Sequence, residues 1–252
     1  MPALFFLHGN SQDSSAFIHQ LDGEVGRDYR VVAMDLPGHG NSSRSDHPEE
    51  TYSPSGYVAL ILEVVRQLNL GPTVFVGHSL GGHLLIQASD ALPSLCGLLT
   101  FGTPPLQLPL RFDQAFLPHP AAALLFQETL SEQEVAQWAE AQICRQLPHV
   151  THGIREAMRH TDPLCRSALG RSIWRDRWLD ECVVLQSLPV PVAIVLGEHD
   201  PFVNHAYCEA LPLPGLWGGG VRILNGCGHS PQLEDPERFD ALLMAFIRSC
   251  AI

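Results

Sequence analysis

Thr73-Val74-Phe75-Val76-Gly77-His78-Ser79-Leu80-Gly81-Gly82 is the stretch on which the fold turns. A short apolar run, Thr73 to Val76, enters a Gly-x-Ser-x-Gly turn, and a helical pattern follows from Leu80 to Ala91. A strand passing directly into a helix holds its serine on a strained bend. Such a bend tolerates only small neighbours two residues to either side, here Gly77 and Gly81. The bare pattern arises by chance in a chain of this composition roughly one time in ten, so its surroundings must carry the argument.

Working outward, apolar runs recur at Ala3 to Leu7, Arg30 to Met34, Leu95 to Phe101, Val190 to Leu196 and Val221 to Leu224. With Thr73 to Val76 they predict about six buried parallel strands, because they are apolar throughout and do not alternate. Helical patterns lie between them: Tyr57 to Leu68, and Glu237 to Ile247 opened by Asp235 as N-cap and Pro236 at the first position. Strand and helix in alternation predict an open, mainly parallel α/β sheet whose ligand crevice lies beyond the carboxyl ends of the strands. Between Gly102 and Pro189 the rhythm fails. That interval carries no strand pattern, only helical patches such as Ser131 to Cys144, where Ser131 and Glu134 have capping-box spacing. The expected organisation is a core from 1–105 and 189–252, with a helical cap, 106–188, inserted after the fourth strand.

The strand ends read His8-Gly9-Asn10, Asp35-Leu36-Pro37-Gly38-His39-Gly40, Gly77-His78-Ser79-Leu80-Gly81, Gly197-Glu198-His199-Asp200 and Gly226-Cys227-Gly228-His229. Serine, acid and histidine follow one another in the order found around a serine nucleophile on such a turn. A serine hydroxyl needs a base at neutral pH, and a histidine can take its proton and return it. His229 is the expected base. Asp200 is expected to hold the other ring nitrogen, in competition with Glu198 and Asp35. The backbone N–H groups of Leu80 and Asn10 are the expected oxyanion donors. His8 and His39 read as loop-orienting hydrogen-bond donors and His78 as a wall of the substrate pocket, whereas His83 and the remaining histidines read as surface or cap residues.

Composition narrows the chemistry. The chain has 252 residues, 45% hydrophobic, and a net charge of −12; none of its 15 basic residues is lysine. Without lysine, P-loop and Schiff-base chemistry drop out, and the negative charge disfavours nucleic-acid and acidic-membrane partners. The seven cysteines are scattered without C-x-x-C spacing, and no histidine cluster has metal-ligand spacing. No metal or cofactor is expected, no apolar run suggests a membrane span, and a cytoplasmic location is expected.

Taken together, the strand-end motifs, the insertion and the last helix resemble the α/β-hydrolase superfamily across essentially the whole chain. His8-Gly9-Asn10-Ser11, Asp35 to Gly40, Ser79-Leu80-Gly81-Gly82-His83, Gly102-Thr103-Pro104-Pro105, Pro201-Phe202-Val203 and Leu216-Trp217 further resemble its metal-independent N-acyl homoserine lactone hydrolases. The resemblance implies Ser79 as nucleophile, His229 as base and an acid at Asp200. Lactonases of this type can carry Glu at the acid position and an aromatic before the serine, so Asp200 and His78 are departures. The family also has strands before its first motif. On that comparison Arg30 to Met34 is expected to form an exposed apolar edge, covered either by residues from an upstream start or by a second copy in a homodimer.

The insertion is rich in aromatics, among them Phe112, Phe116, Phe126, Trp138, Trp174 and Trp178. An apolar roof over a serine suits an acyl chain or a small hydrophobic ester, with Phe112 and Trp138 as expected lining residues. A neutral acyl homoserine lactone meets these constraints. The alternatives are a general carboxylesterase, an amide-cleaving acylase, a haloperoxidase-like or lyase activity, or a ligand-binding member of the fold that turns over slowly.

Overall fold

Each apolar run is paired with its neighbours into one parallel sheet in a computed structural model that describes residues 1–250. The strands are β1 (Ala3–Leu7), β2 (Arg30–Met34), β3 (Thr73–His78), β4 (Leu95–Phe101), β5 (Val192–Gly197) and β6 (Arg222–Leu224). Their order is β2-β1-β3-β4-β5-β6, and every pair is parallel. β2 lies at an edge, and four of its five residues are half-buried.

Period-two alternation divides the strands between two cores. Phe5, Leu7, Phe75, Leu98 and Ile194 face one way, against Tyr57, Ile61 and Val65 of α1 (Pro54–Leu68) and Leu84 and Leu85 of α2 (Leu80–Ala88). The intervening residues Leu4, Phe6, Val74, Val76, Leu99 and Phe101 face the other way, where the last helix covers them.

Between β4 and β5 lie the helices of the cap: α3 (Glu132–Ala141), α4 (Pro148–His160), α5 (Pro163–Ser172) and α6 (Glu181–Ser187). α7 (Pro236–Ser249) closes the fold, with Phe239, Leu243, Phe246 and Ile247 buried on one face at helical spacing. Its Asp235 N-cap accepts from the Arg238 N–H at 3.2 Å. The Ser131 and Glu134 capping box forms in both directions, Ser131 N–H donating to the Glu134 carboxylate and Glu134 N–H to Ser131 Oγ. A third core joins Trp138, Val135 and Ala139 of α3 to Val150, Ile154 and Met158 of α4 and to Phe202 of the post-β5 loop, so cap and sheet share packing. Among the described residues, no helix is long and apolar enough to cross a membrane.

Candidate active site

Ser79 stands between β3 and α2 at φ 51°, ψ −118°, a strained conformation for a residue with a side chain. The glycines around it are required by close packing: a Cβ on Gly77 would lie 2.6 Å from Gly82 Cα, and one on Gly81 would lie 2.4 Å from the Leu7 carbonyl oxygen. The first turn of α2 therefore rests directly on the end of β1, and the serine projects from the crest of the sheet. Its own N–H is committed to Phe101 O at 2.9 Å.

His229 and Asp200 come from the ends of β6 and β5. His229 Nδ1 lies 2.7 Å from Asp200 Oδ2, and both residues are buried. Asp200 Oδ1 accepts from the backbone N–H groups of Phe202 at 2.9 Å and Val203 at 3.2 Å. Burial pushes the Asp200 pKa up, but the charge and hydrogen bond of His229 and the two amides outweigh it and hold the carboxyl below the ordinary value. A carboxylate fixed in this way keeps the proton on Nδ1 and leaves Nε2 as an acceptor. Glu198 and Asp35 are engaged elsewhere. Glu198 accepts from Gly226 N–H at 2.8 Å, and Asp35 ties Ser14 N–H and Asn41 N–H into the loop after β2.

Ser79 and His229 are brought together as walls of one cavity of about 290 Å³, with Asn10, Leu80, Phe112 and Trp138 also in its lining. No hydrogen bond joins Ser79 Oγ to the His229 ring among the described residues; contacts of this type tighten when substrate seats. The N–H groups of Asn10 and Leu80 make no hydrogen bond among the described residues, whereas those of Gly9, Ser11 and Ser79 are all engaged. Two free donors thus flank the serine. Apart from His83, the remaining walls are apolar and come mostly from the cap, including Phe116, Leu125, Ile173 and Trp178.

His78 departs from expectation. It does not line the cavity but is fully buried, stacked on Phe101 at 4.6 Å with its centroid 4.8 Å from that of His229. Strand alternation explains the placement: two residues beyond Val76, it faces the core under α7 and not the crevice. Its Nε2 lies 2.9 Å from His229 O and its Nδ1 2.8 Å from Gln12 Oε1. It supports the His229 loop from below. Gly102, at φ 59°, makes room beside that loop, since a Cβ there would lie 2.9 Å from His229 Cε1.

His8 and His39 orient loops as expected. His8 Nδ1–H donates to Gly9 O and its Nε2 accepts from Leu36 N–H, while His39 Nε2 accepts from Ser11 N–H. His83, expected as a surface or cap residue, is instead buried on α2 and lines the cavity; Glu181 behind it, and Glu234, which binds the His229 loop to the cap, carried no sequence signal. For His83 a signal existed. It stands four residues after Ser79, one turn into the helix that Ser79 opens, and therefore on the side of α2 that the serine occupies.

Comparison with known proteins follows the same geometry. Residues 4–242 match the alpha/beta hydrolase family. The chain belongs to the alpha/beta hydrolase family. A solved structure of the N-acyl homoserine lactonase AidH, a mutant complexed with N-hexanoyl homoserine lactone, superposes on this hydrolase with a TM-score of 0.91 and 32% identity, covering 100% of this chain and 91% of that one. The esterase Rv0045c of Mycobacterium tuberculosis is 26% identical over 93% of this hydrolase and 79% of its own length. An uncharacterized protein of the same organism, Rv2715, is 26% identical over 98% of this chain and 75% of its own.

Proposed function

We propose that the protein is a serine hydrolase of carboxylic esters that opens the lactone ring of N-acyl homoserine lactones. The observation that carries the reading is a buried Asp200–His229 pair and a strained-turn serine facing one apolar cavity. The family membership and its esterase and lactonase relatives support an enzyme that cleaves ester bonds. A neutral lactone with an apolar tail suits a cavity roofed by aromatics in a protein of net charge −12.

Ser79 Oγ attacks the ring carbonyl while His229 Nε2 takes its proton, and the charge on the carbonyl oxygen is met by the N–H groups of Asn10 and Leu80. The ring C–O bond then breaks, and His229 returns the proton to the departing alkoxide. That alcohol stays tethered to the acyl group. His229 next activates a water, which attacks the acyl-enzyme and releases the ring-opened acid and Ser79. Because the tethered alcohol can attack back, turnover depends on water winning that competition and on the cap opening to release product.

Mass spectrometry of the protein incubated with short-, medium- and long-chain acyl homoserine lactones tests this. The expected result is gain of one water with the acyl chain intact, abolished in Ser79→Ala. Unchanged lactone beside hydrolysis of simple esters would reduce the reading to a carboxylesterase, and free homoserine lactone would reveal an acylase.

A further inference from the structure

Apart from the indoles, four polar side chains line the cavity: Asn10, Ser79, His229 and His83. Ser79 and His229 belong to the acyl-transfer machinery proposed above, and the Asn10 side chain is engaged with Leu125 O and Ser11 Oγ. His83 has no part in that machinery, yet its placement is as constrained as that of His229. It stands on α2 one turn beyond Ser79, about 6 Å along the axis, between Phe116 and Trp178, with ring centroids 6.1 and 6.4 Å away. Its Nδ1 lies 2.9 Å from Oε2 and 3.1 Å from Oε1 of Glu181, a fully buried residue at the start of α6.

Glu181 also accepts from Leu106 N–H at 2.8 Å and from Gln87 Nε2 at 3.1 Å. The other two groups hydrogen-bonded to the carboxyl, Gln87 and Leu106 N–H, are donors, so the proton between Glu181 and His83 is placed on Nδ1. In the neutral ring Nε2 then carries a lone pair. It makes no hydrogen bond among the described residues and is not sealed from solvent, so in a side chain only 8% exposed it opens on the cavity that the ring lines. If Glu181 served only to tie the cap to α2, Gln87 and Leu106 would already supply the contact.

We propose that His83, oriented by Glu181, recognises a hydrogen-bond donor beside the scissile carbonyl, the N–H of an α-acylamino ester or lactone. A carbonyl carbon at Ser79 Oγ places such a nitrogen two bonds away, and a hydrogen bond of about 3 Å completes the span to the next turn of α2. An ether or carbonyl oxygen at that position would meet the lone pair and be disfavoured. Glu181 is the positioning residue. The inference rests on Ser79 being the nucleophile but does not require that the natural substrate be a lactone.

The test uses a pair of nitrophenyl esters: that of N-butanoylglycine, and its isostere with CH₂ in place of the N–H. Wild-type protein is expected to favour the amide in kcat/KM by about three- to tenfold, the worth of one hydrogen bond. His83→Phe should bring the ratio close to one, and the double variant His83→Phe/Glu181→Gln should do the same without leaving a buried charge short of a partner. His83→Gln, which supplies an acceptor, should restore part of the preference. A ratio is insensitive to how much of a preparation is folded. A wild-type ratio near one overturns the proposal, as does a ratio unchanged in the variants, the outcome of a purely structural role. Failure to open lactones, with the ratios as expected, would overturn the lactonase reading and leave this one standing.

Discussion

Asp200 Oδ1 is occupied by the amides of Phe202 and Val203, which leaves only Oδ2 for His229. This division makes Asp200→Asn informative. The amide oxygen must stay with the two backbone donors, so the NH₂ group turns toward Nδ1 and forces the proton onto Nε2, where it blocks proton transfer from Ser79. We expect kcat to fall by about 10³ to 10⁴ with KM little changed and the fold retained by circular dichroism; a loss under tenfold would remove Asp200 from the proposed triad. Ser79, Asp200 and His229 were legible because the end of each strand is a short motif in fixed order. The place of His78 followed from alternation along β3 that the sequence reading did not extend past Val76. Glu181 was not legible at all, since nothing local marks the partner of a histidine 98 positions away.

At the scale of elements, tertiary hydrogen bonds decide where several of them stop. The expected helix Ser131 to Cys144 ends at Ala141 because Gln142 O accepts from Ser230 N–H and Cys144 N–H donates to Glu234, partners that replace the helical ladder. β5 begins at Val192 and not Val190; Pro189 and Pro191, which flank Val190, have no N–H to give a ladder. β3 runs on to His78, paired with Phe101, because the turn at Ser79 starts only after the strand has fully registered. Glu234 is the residue that joins these pieces. It accepts from Gly228 N–H in the His229 loop and from Cys144 and Arg145 N–H at the end of the α3 segment. In Glu234→Gln one acceptor becomes an NH₂ group facing a buried N–H. We expect a stability loss of about 1–3 kcal/mol by urea unfolding and a lower kcat, because the loop carrying His229, the proposed base, is loosened. Unchanged values of both would mean that the loop is held without Glu234, by His78, Asp200 and the Ser230 N–H bond to Gln142 O.

Across the whole molecule, the sheet order and the helical interval between β4 and β5 follow from apolar patterning, whereas the burial of histidines does not, because a single histidine carries no periodic signal. That burial governs the response to acid. His8, His39 and His78 are all enclosed and neutral; burial lowers each pKa, to about 3 for His39. Above the ordinary value of 6.5 neither the folded nor the unfolded chain is protonated at these positions. As pH falls below 6.5 the unfolded chain binds protons that the folded protein refuses, so stability declines, by up to about 1.4 kcal/mol per pH unit for each ring. The carboxylates, whose protonation relieves the repulsion within a chain of net charge −12, titrate mostly below pH 5, so they do not offset the decline between 6.5 and 5. The urea midpoint should therefore be level above pH 7 and drop steeply from pH 6.5 to 5. In His39→Asn the curve should start lower, because Ser11 N–H loses its acceptor, but fall less steeply. A midpoint constant from pH 7.5 to 5 would mean that these rings become protonated in the folded protein, which requires water or a carboxylate to reach them.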